Sequence, residues 1–189
     1  MASVADRFGG VILITLLVGV PLGVLAVMLL ARHRRARGWA SPWAWRASVA
    51  EVGLVVGTLP WIWMIMTPTD GAGGLQLVPF HDLARVLGGQ DTIVQVVGNL
   101  LVFAELGFFL PIRFGLGRPG KVVLMVVLIA AGLSAILETL QFALHLGRIA
   151  SVDDVIVNAL GAALASLLST RWWRSRARSS PSATRSTIA

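Results

Sequence analysis

Long apolar runs constrain the fold of this chain more than any other feature of its sequence. A helix needs about 20 apolar residues to cross a bilayer, and several runs reach that length. Only 13% of the residues are charged and 56% are hydrophobic, whereas soluble domains carry about a quarter charged residues. The sequence therefore predicts an all-α fold, a polytopic membrane helix bundle with about five transmembrane helices.

Five segments have the length or composition of membrane spans. They are Gly10–Ala31, Ala47–Thr67, Thr92–Pro111, Val122–His145 and Val152–Thr170. The last is the least apolar, because two aspartates and an asparagine interrupt its start. The first is followed by the basic stretch 32–37 and lacks a cleavage motif, which favours a retained helix over a signal peptide. We expect one membrane domain, 1–170, followed by a basic, disordered cytoplasmic tail, 171–189.

The charged residues predict the orientation of these spans. All but three of the 16 Lys and Arg residues lie in two loops and the tail that would face the cytoplasm; the exceptions are Arg7, Arg85 and Arg148. All six aspartates lie on the opposite side. Under the positive-inside rule, this distribution predicts an external amino terminus and a cytoplasmic carboxy terminus in a bacterial plasma membrane. The net charge of +7 therefore reflects topology, and we expect no nucleic-acid partner.

The long external loop has two parts of different composition. Residues 68–74 (PTDGAGG) are expected to be flexible because of their glycines. Residues 75–89 place Phe80, Leu83, Val86 and Leu87 at helical spacing. This pattern predicts a short amphipathic helix on the outer membrane surface.

Two of the three glutamates in apolar segments lie toward the cytoplasmic side. Ser48 and Glu51 have the spacing of a capping box, which predicts a structural role at the start of the second helix. Glu105 lies about 9 Å from the inner end of the third helix and is rotated away from Asn99. It is compatible with a protonated acid or with a salt bridge to a loop arginine, and the sequence assigns it no role.

The third glutamate belongs to a polar stripe. Ser134, Glu138, Gln141 and His145 share one helical face, with Glu138 about 10 Å from the outer end of its helix. Asp154 and Asn158 share a face with small residues on the next helix, and Asn99 lies at a similar depth on the third. The sequence therefore predicts a polar cluster in the outer half of the bundle.

Two interpretations of this cluster remain open. Interhelical hydrogen bonding could account for it, with Ser151, Asp153 or Asp154 capping the fifth helix. A functional pocket open to the outside accounts better for the charged groups at its rim. The candidate site comprises Asn99, Glu138, Gln141, His145, Arg148, Asp153, Asp154 and Asn158. No residue is assigned a catalytic role, and we expect no metal and no cofactor.

Four segments together resemble the VanZ-like family of bacterial membrane proteins. They are LVPF at 77–80, GNLLVFAELGFFLP at 98–111, SAILETLQ at 134–141 and GRIASVDDVIVNALGAALAS at 147–166. The resemblance covers Leu77–Ser166 and leaves the first two helices outside. It implies a role in the cell envelope, since the family takes its name from a member linked to teicoplanin resistance.

The chain departs from the family pattern at two places. Glu105 stands where the family usually has proline, so the third helix is expected to be less kinked. Ala150 and Ser151 precede the acidic pair where the family often has another aspartate, and this weakens a metal-site interpretation.

Several functions are compatible with these residues. The favoured one is a non-enzymatic envelope protein whose partners are membrane lipids, a lipid-linked cell-wall precursor or a lipoglycopeptide. The alternative is a membrane-embedded enzyme in which Glu138 acts as acid or base, or Asp153 and Asp154 hold a cation. A small transporter or a structural partner for another membrane protein is also compatible. The sequence does not indicate an oligomeric state.

Overall fold

The amino-terminal span is one nearly continuous helix with a π-helical turn near its middle. The computed structural model describes residues 4–81, 90–114 and 118–172, with the backbone alone at 4–8 and 90–95. Helix α1 (Val4–Ile14) continues through the turn Thr15–Gly19 into α2 (Val20–Ala36). Pro21 has no N–H to donate to the carbonyl of Leu17, so one α-helical hydrogen bond is missing here. Leu17 lies within the π-helical turn, which therefore coincides with this interruption.

Helix α3 begins earlier than the sequence predicted. It spans Ser41–Met66, with Pro42 in its first turn and Pro60 in its interior. Ser48 and Glu51 therefore lie inside the helix, and the capping-box prediction is wrong. Ser48 donates its hydroxyl hydrogen bond to the carbonyl of Ala44 at 2.8 Å.

The predicted third span is divided in two. Helix α4 (Gln90–Val102) and helix α5 (Ala104–Phe114) are separated by a turn at Phe103. The helix thus breaks even though Glu105 replaces the proline of the family pattern. Phe103 is 1% exposed and lies in the main apolar core.

Two further helices complete the bundle. Helix α6 spans Pro119–Ala143 and helix α7 spans Val152–Leu168. In the described part of the chain, four helical stretches are long and apolar enough to cross a membrane: Gly9–Ala36, Ser41–Met66, Val96–Phe114 and Pro119–Ala143. Helix α7 forms as predicted but has 17 residues, the lower end of the usual spanning range, so its crossing of the membrane stays a prediction.

Helix α7 packs against α4, α5 and α6 through small residues. A side-chain carbon on Gly161 would overlap the carbonyl of Leu100, and one on Gly107 would overlap the backbone of Ala162. These glycines let the helix axes approach closely. The arrangement places the polar start of α7 between α4 and α6.

The loop after α3, predicted to be external, contains a structure that the sequence pattern does not indicate. Strand β1 (Gly74–Gln76) pairs in parallel with strand β2 (Ile149–Ser151), with Leu75 opposite Ala150. The segment predicted to be flexible is hydrogen-bonded: Thr69 donates its backbone N–H to the carbonyl of Leu146 at 2.8 Å. Within the segment 75–89 predicted to be an amphipathic helix, residues 75–80 instead form the end of β1 and a turn, whereas Leu83, Val86 and Leu87 lie outside the described residues, as does the tail after residue 172.

Candidate functional site

The candidate site is built where strand β2 leads into helix α7. The carboxylate of Glu138, on α6, accepts a hydrogen bond from the backbone N–H of Ser151 at 3.0 Å. Asp154 and Arg148 both act electrostatically on Glu138, with opposite signs. The structure therefore brings these three predicted residues close together.

Two side-chain hydrogen bonds join α7 to its neighbours. Asn99, on α4, donates its amide to the Asp154 carboxylate. Asn158 donates its amide to the hydroxyl of Ser134, on α6, at 2.7 Å. Within the described residues, Oδ1 of Asn158 is buried without a hydrogen-bond donor. Asn99, Glu138 and Asn158 thus each bond a residue across the interfaces that β2 and α7 form with α4 and α6, and their meeting in the outer half of the bundle stays a prediction.

The two adjacent aspartates have different partners. Asp153 is 3% exposed, and its Oδ1 accepts a hydrogen bond from the backbone N–H of Phe80 at 2.5 Å. Phe80 has a positive φ of 64°, which is unusual for a non-glycine residue. Ser151 provides the cap of α7, since its hydroxyl accepts from the N–H of Asp153 at 3.2 Å. Capping therefore does not require the carboxylate of Asp154.

Arg148 and Gln141 bind the carboxy-terminal end of α3. Arg148 donates to the carbonyl of Met64 at 3.2 Å, and Gln141 donates to the carbonyl of Ile65 at 2.9 Å. The last carbonyls of a helix lack intrahelical partners, and a cation is favoured beside them. These contacts anchor α3 to the rim of the candidate site.

His145 does not continue the polar stripe as the sequence predicted. Helix α6 ends at Ala143, and His145 adopts a positive φ of 51° with an exposed side chain. Two residues later Gly147 also has a positive φ, 70°, and it lies against the backbone of Thr69, where a side chain would not fit. The helical spacing on which the prediction rested does not extend to residue 145.

An apolar segment lies beside the polar groups. Leu75, Leu77, Val78 and Phe80 are 55–62% exposed. Gln76, between them, forms hydrogen bonds with His81 and with the N–H of Val78, so the segment is held in a compact turn. Such an exposed apolar group next to a membrane is typical of contact with lipid.

The two remaining glutamates occupy other environments. Glu51 forms salt bridges with Arg34 and Arg113, which explains its position inside α3. Glu105 accepts a hydrogen bond from the indole N–H of Trp61 at 3.3 Å. Among the described residues, no group of three His, Cys, Asp or Glu side chains is placed to hold a metal.

The tertiary structure adds contributors that the sequence analysis did not select. The backbone N–H groups of Ser151 and Phe80 hold the carboxylates of Glu138 and Asp153 in place, and the hydroxyl of Ser151 accepts from the backbone N–H of Asp153. Ser151 lies two residues before an acidic pair at the start of a helix, which is a recognisable cap signal, and the sequence analysis named it as a possible cap. The pairing of β1 with β2, which presents the backbone N–H of Ser151 to Glu138, has no such signal in the sequence.

Comparison with known proteins identifies the family. Searches of curated proteins and of solved structures gave no significant match. The model of the VanZ/LLP1 family matches residues 52–174, so the likeness extends from within α3 and is not confined to Leu77–Ser166. This match covers more than half of the chain, and the matched range includes every residue of the candidate site. The chain is therefore a member of the VanZ/LLP1 family.

Proposed function

We propose that the outer end of this bundle binds the polar headgroup of an amphiphile in the outer leaflet of a bacterial plasma membrane. The ligand would be a membrane lipid, a lipid-linked cell-wall precursor or an amphiphilic antibiotic such as a lipoglycopeptide. The observation that carries the proposal is the hydrogen bond between Asp153 and the backbone of Phe80. It couples the acidic cluster directly to the exposed apolar segment Leu75–Phe80.

The charges of the cluster favour a ligand that donates hydrogen bonds. Glu138 and Asp154 supply two carboxyl groups beside the buried Asp153, whereas Arg148 supplies one guanidinium that also binds the end of α3. The buried Oδ1 of Asn158 is a further acceptor. Ammonium, hydroxyl and amide groups of a headgroup match such acceptors, and hydrogen bonds to charged groups are the stronger ones.

The apolar segment Leu75–Phe80 supports the proposal that the ligand also has an apolar chain. Its four exposed side chains would contact acyl or prenyl chains while the carboxyl groups contact the headgroup. A ligand with a polar headgroup and an apolar chain gains binding free energy from both contacts. A free, water-soluble headgroup would bind more weakly, since it would lack the apolar contact.

Binding to the purified protein tests the proposal. The protein would be reconstituted in nanodiscs and exposed to phosphatidylethanolamine, phosphatidylglycerol, a polyprenyl-linked wall precursor or teicoplanin, with bound species identified by native mass spectrometry. Glu138→Gln and Asp154→Asn should each weaken binding of the favoured ligand at least tenfold. Thr139→Ala is the matched control, because Thr139 is the exposed neighbour of Glu138 and its hydroxyl bonds the Ala135 carbonyl of its own helix. Unchanged binding in both acidic-site variants would contradict the proposal.

Acid–base chemistry on the bound lipid is the second candidate. It is favoured by the position of Glu138 within electrostatic reach of both Asp154 and Arg148, an arrangement that can tune a proton donor or acceptor. The same experiment separates the two functions. A binding protein releases its ligand unchanged, whereas an enzyme yields a product of different mass that Glu138→Gln fails to form.

A further inference from the structure

Glu105 lies in a membrane-spanning segment, away from the proposed binding site. It is in the first turn of α5 and faces α3, where its Oε1 accepts the hydrogen bond from Trp61. Its second oxygen, Oε2, is buried and has no hydrogen-bond partner in the described part of the chain. A carboxyl group in this position needs an explanation, since ionisable groups inside a membrane cost at least a few kcal/mol.

The interface between α3 and α5 accommodates this side chain closely. Gly57 lies directly against Glu105, and a side-chain carbon at Gly57 would overlap Cγ of the glutamate. One turn further toward the inner end, Gly53 lies in the same way against the ring of Phe109. Two glycines on one face of α3 thus receive two large side chains of α5, and Glu105 has a defined position between the helices.

Cations at both ends of α3 bind other groups, and at its carboxy-terminal end Arg148 donates to the carbonyl of Met64. Arg34 and Arg113 both bind Glu51 at the inner end of α3. At the other end, the acidic groups Asp153 and Asp154 lie at the outer start of α7. Among the described residues, none of the salt bridges involves Glu105. An ionised Glu105 would therefore be a carboxylate without a counter-ion.

We propose that Glu105 is a proton-binding site within the membrane, its carboxyl group held as the uncharged acid between α3 and α5. In this form Oε1 is the carbonyl oxygen that accepts from Trp61, and Oε2 carries the proton. A metal cation is a poor occupant, because cations such as Ca²⁺ take six to eight oxygen ligands, whereas here one carboxyl group meets an N–H donor. A neutral acid satisfies the geometry without any additional ligand.

Infrared difference spectroscopy tests for the proton directly. The purified protein in lipid bilayers should show the C=O stretch of a carboxylic acid, and Glu105→Gln should remove that band. Trp61→Phe should retain the band and shift its frequency, because the carbonyl loses its hydrogen-bond donor. Glu51→Gln is the matched control and should leave the band unchanged, since Glu51 is paired with two arginines. Identical carboxylic-acid bands in the native protein and in Glu105→Gln would overturn the proposal.

Chemical modification provides an independent measurement on the unmutated protein. In reaction with a carbodiimide, the acid proton moves to a carbodiimide nitrogen and the carboxylate oxygen bonds to the central carbon; an oxygen-to-nitrogen acyl shift then yields a stable N-acylurea. A lipid-soluble carbodiimide should modify Glu105, as located by peptide mass mapping, and leave Glu51 unmodified. Equally fast modification by a membrane-impermeant carbodiimide would contradict a neutral acid buried in the membrane. The binding assay of the proposed function does not depend on either result.

Discussion

The carboxylate of Glu138 accepts a hydrogen bond from the backbone N–H of Ser151 at 3.0 Å and so joins α6 to the start of α7. Glutamine retains an acceptor oxygen but removes the charge. We expect Glu138→Gln to change the free energy of unfolding by less than about 1 kcal/mol while abolishing function, whereas Glu138→Ala should cost about 1–3 kcal/mol because it removes the acceptor. Membrane abundance, thermal unfolding and an antibiotic-sensitivity assay would measure both effects. Full function in Glu138→Gln would make this residue purely structural.

The two aspartates should respond differently to loss of charge. Asp153 is buried against the backbone of Phe80, so Asp153→Asn should weaken the attachment of the apolar segment and increase its protease sensitivity. Asp154→Asn should leave folding intact and impair ligand binding. Ser151→Ala removes the cap of α7 and should cost about 1 kcal/mol. Two asparagine variants with native binding would leave helix capping and packing as sufficient roles for the acidic pair.

Close helix packing at Gly161 should be sensitive to a single methyl group. Gly161→Ala would force a side-chain carbon onto the carbonyl of Leu100, and overpacking of this kind costs about 1–3 kcal/mol. Gly132→Ala, at an open position in α6, is the control and should be neutral or slightly stabilising, because alanine favours helix more than glycine does. The comparison is made by thermal unfolding in detergent. Equal stabilities of the two variants would show that α7 does not pack closely against α4.

The predicted orientation can be tested with single cysteines, since the native chain has none. Ala72 is an exposed position in the external loop and is preferable to its neighbour Gly73, whose φ of 65° would strain a cysteine. Ala40, exposed between α2 and α3, should face the cytoplasm. An impermeant thiol reagent should label Ala72→Cys in intact cells and Ala40→Cys only after lysis. The reverse pattern would invert the topology.

The local sequence pattern around Glu51 led to a wrong prediction of its role. Its spacing from Ser48 matches a capping box, yet the helix begins at Ser41, and the carboxylate instead binds arginines from two other elements. A capping box depends only on neighbouring residues, so the sequence suggests it. The actual partners, Arg34 and Arg113, are distant in sequence, and their approach depends on how three helices pack.

The apolar runs by themselves determined the helical bundle. Backbone N–H and C=O groups find no water inside a bilayer, and an α-helix satisfies their hydrogen bonds within each long apolar segment. Helical periodicity also placed Glu138 and Gln141 on one face of α6, and matching depths brought Asn99 and Asn158 into the same region. The end of α6 at Ala143, the pairing of β1 with β2 and the attachment of Asp153 to Phe80 were decided only by the tertiary structure. Phe80 and Asp153 are more than 70 residues apart in the sequence, so no local pattern predicts their contact. The positive φ of Gly147 likewise depends on the segment against which it packs, and a local pattern does not reveal that segment.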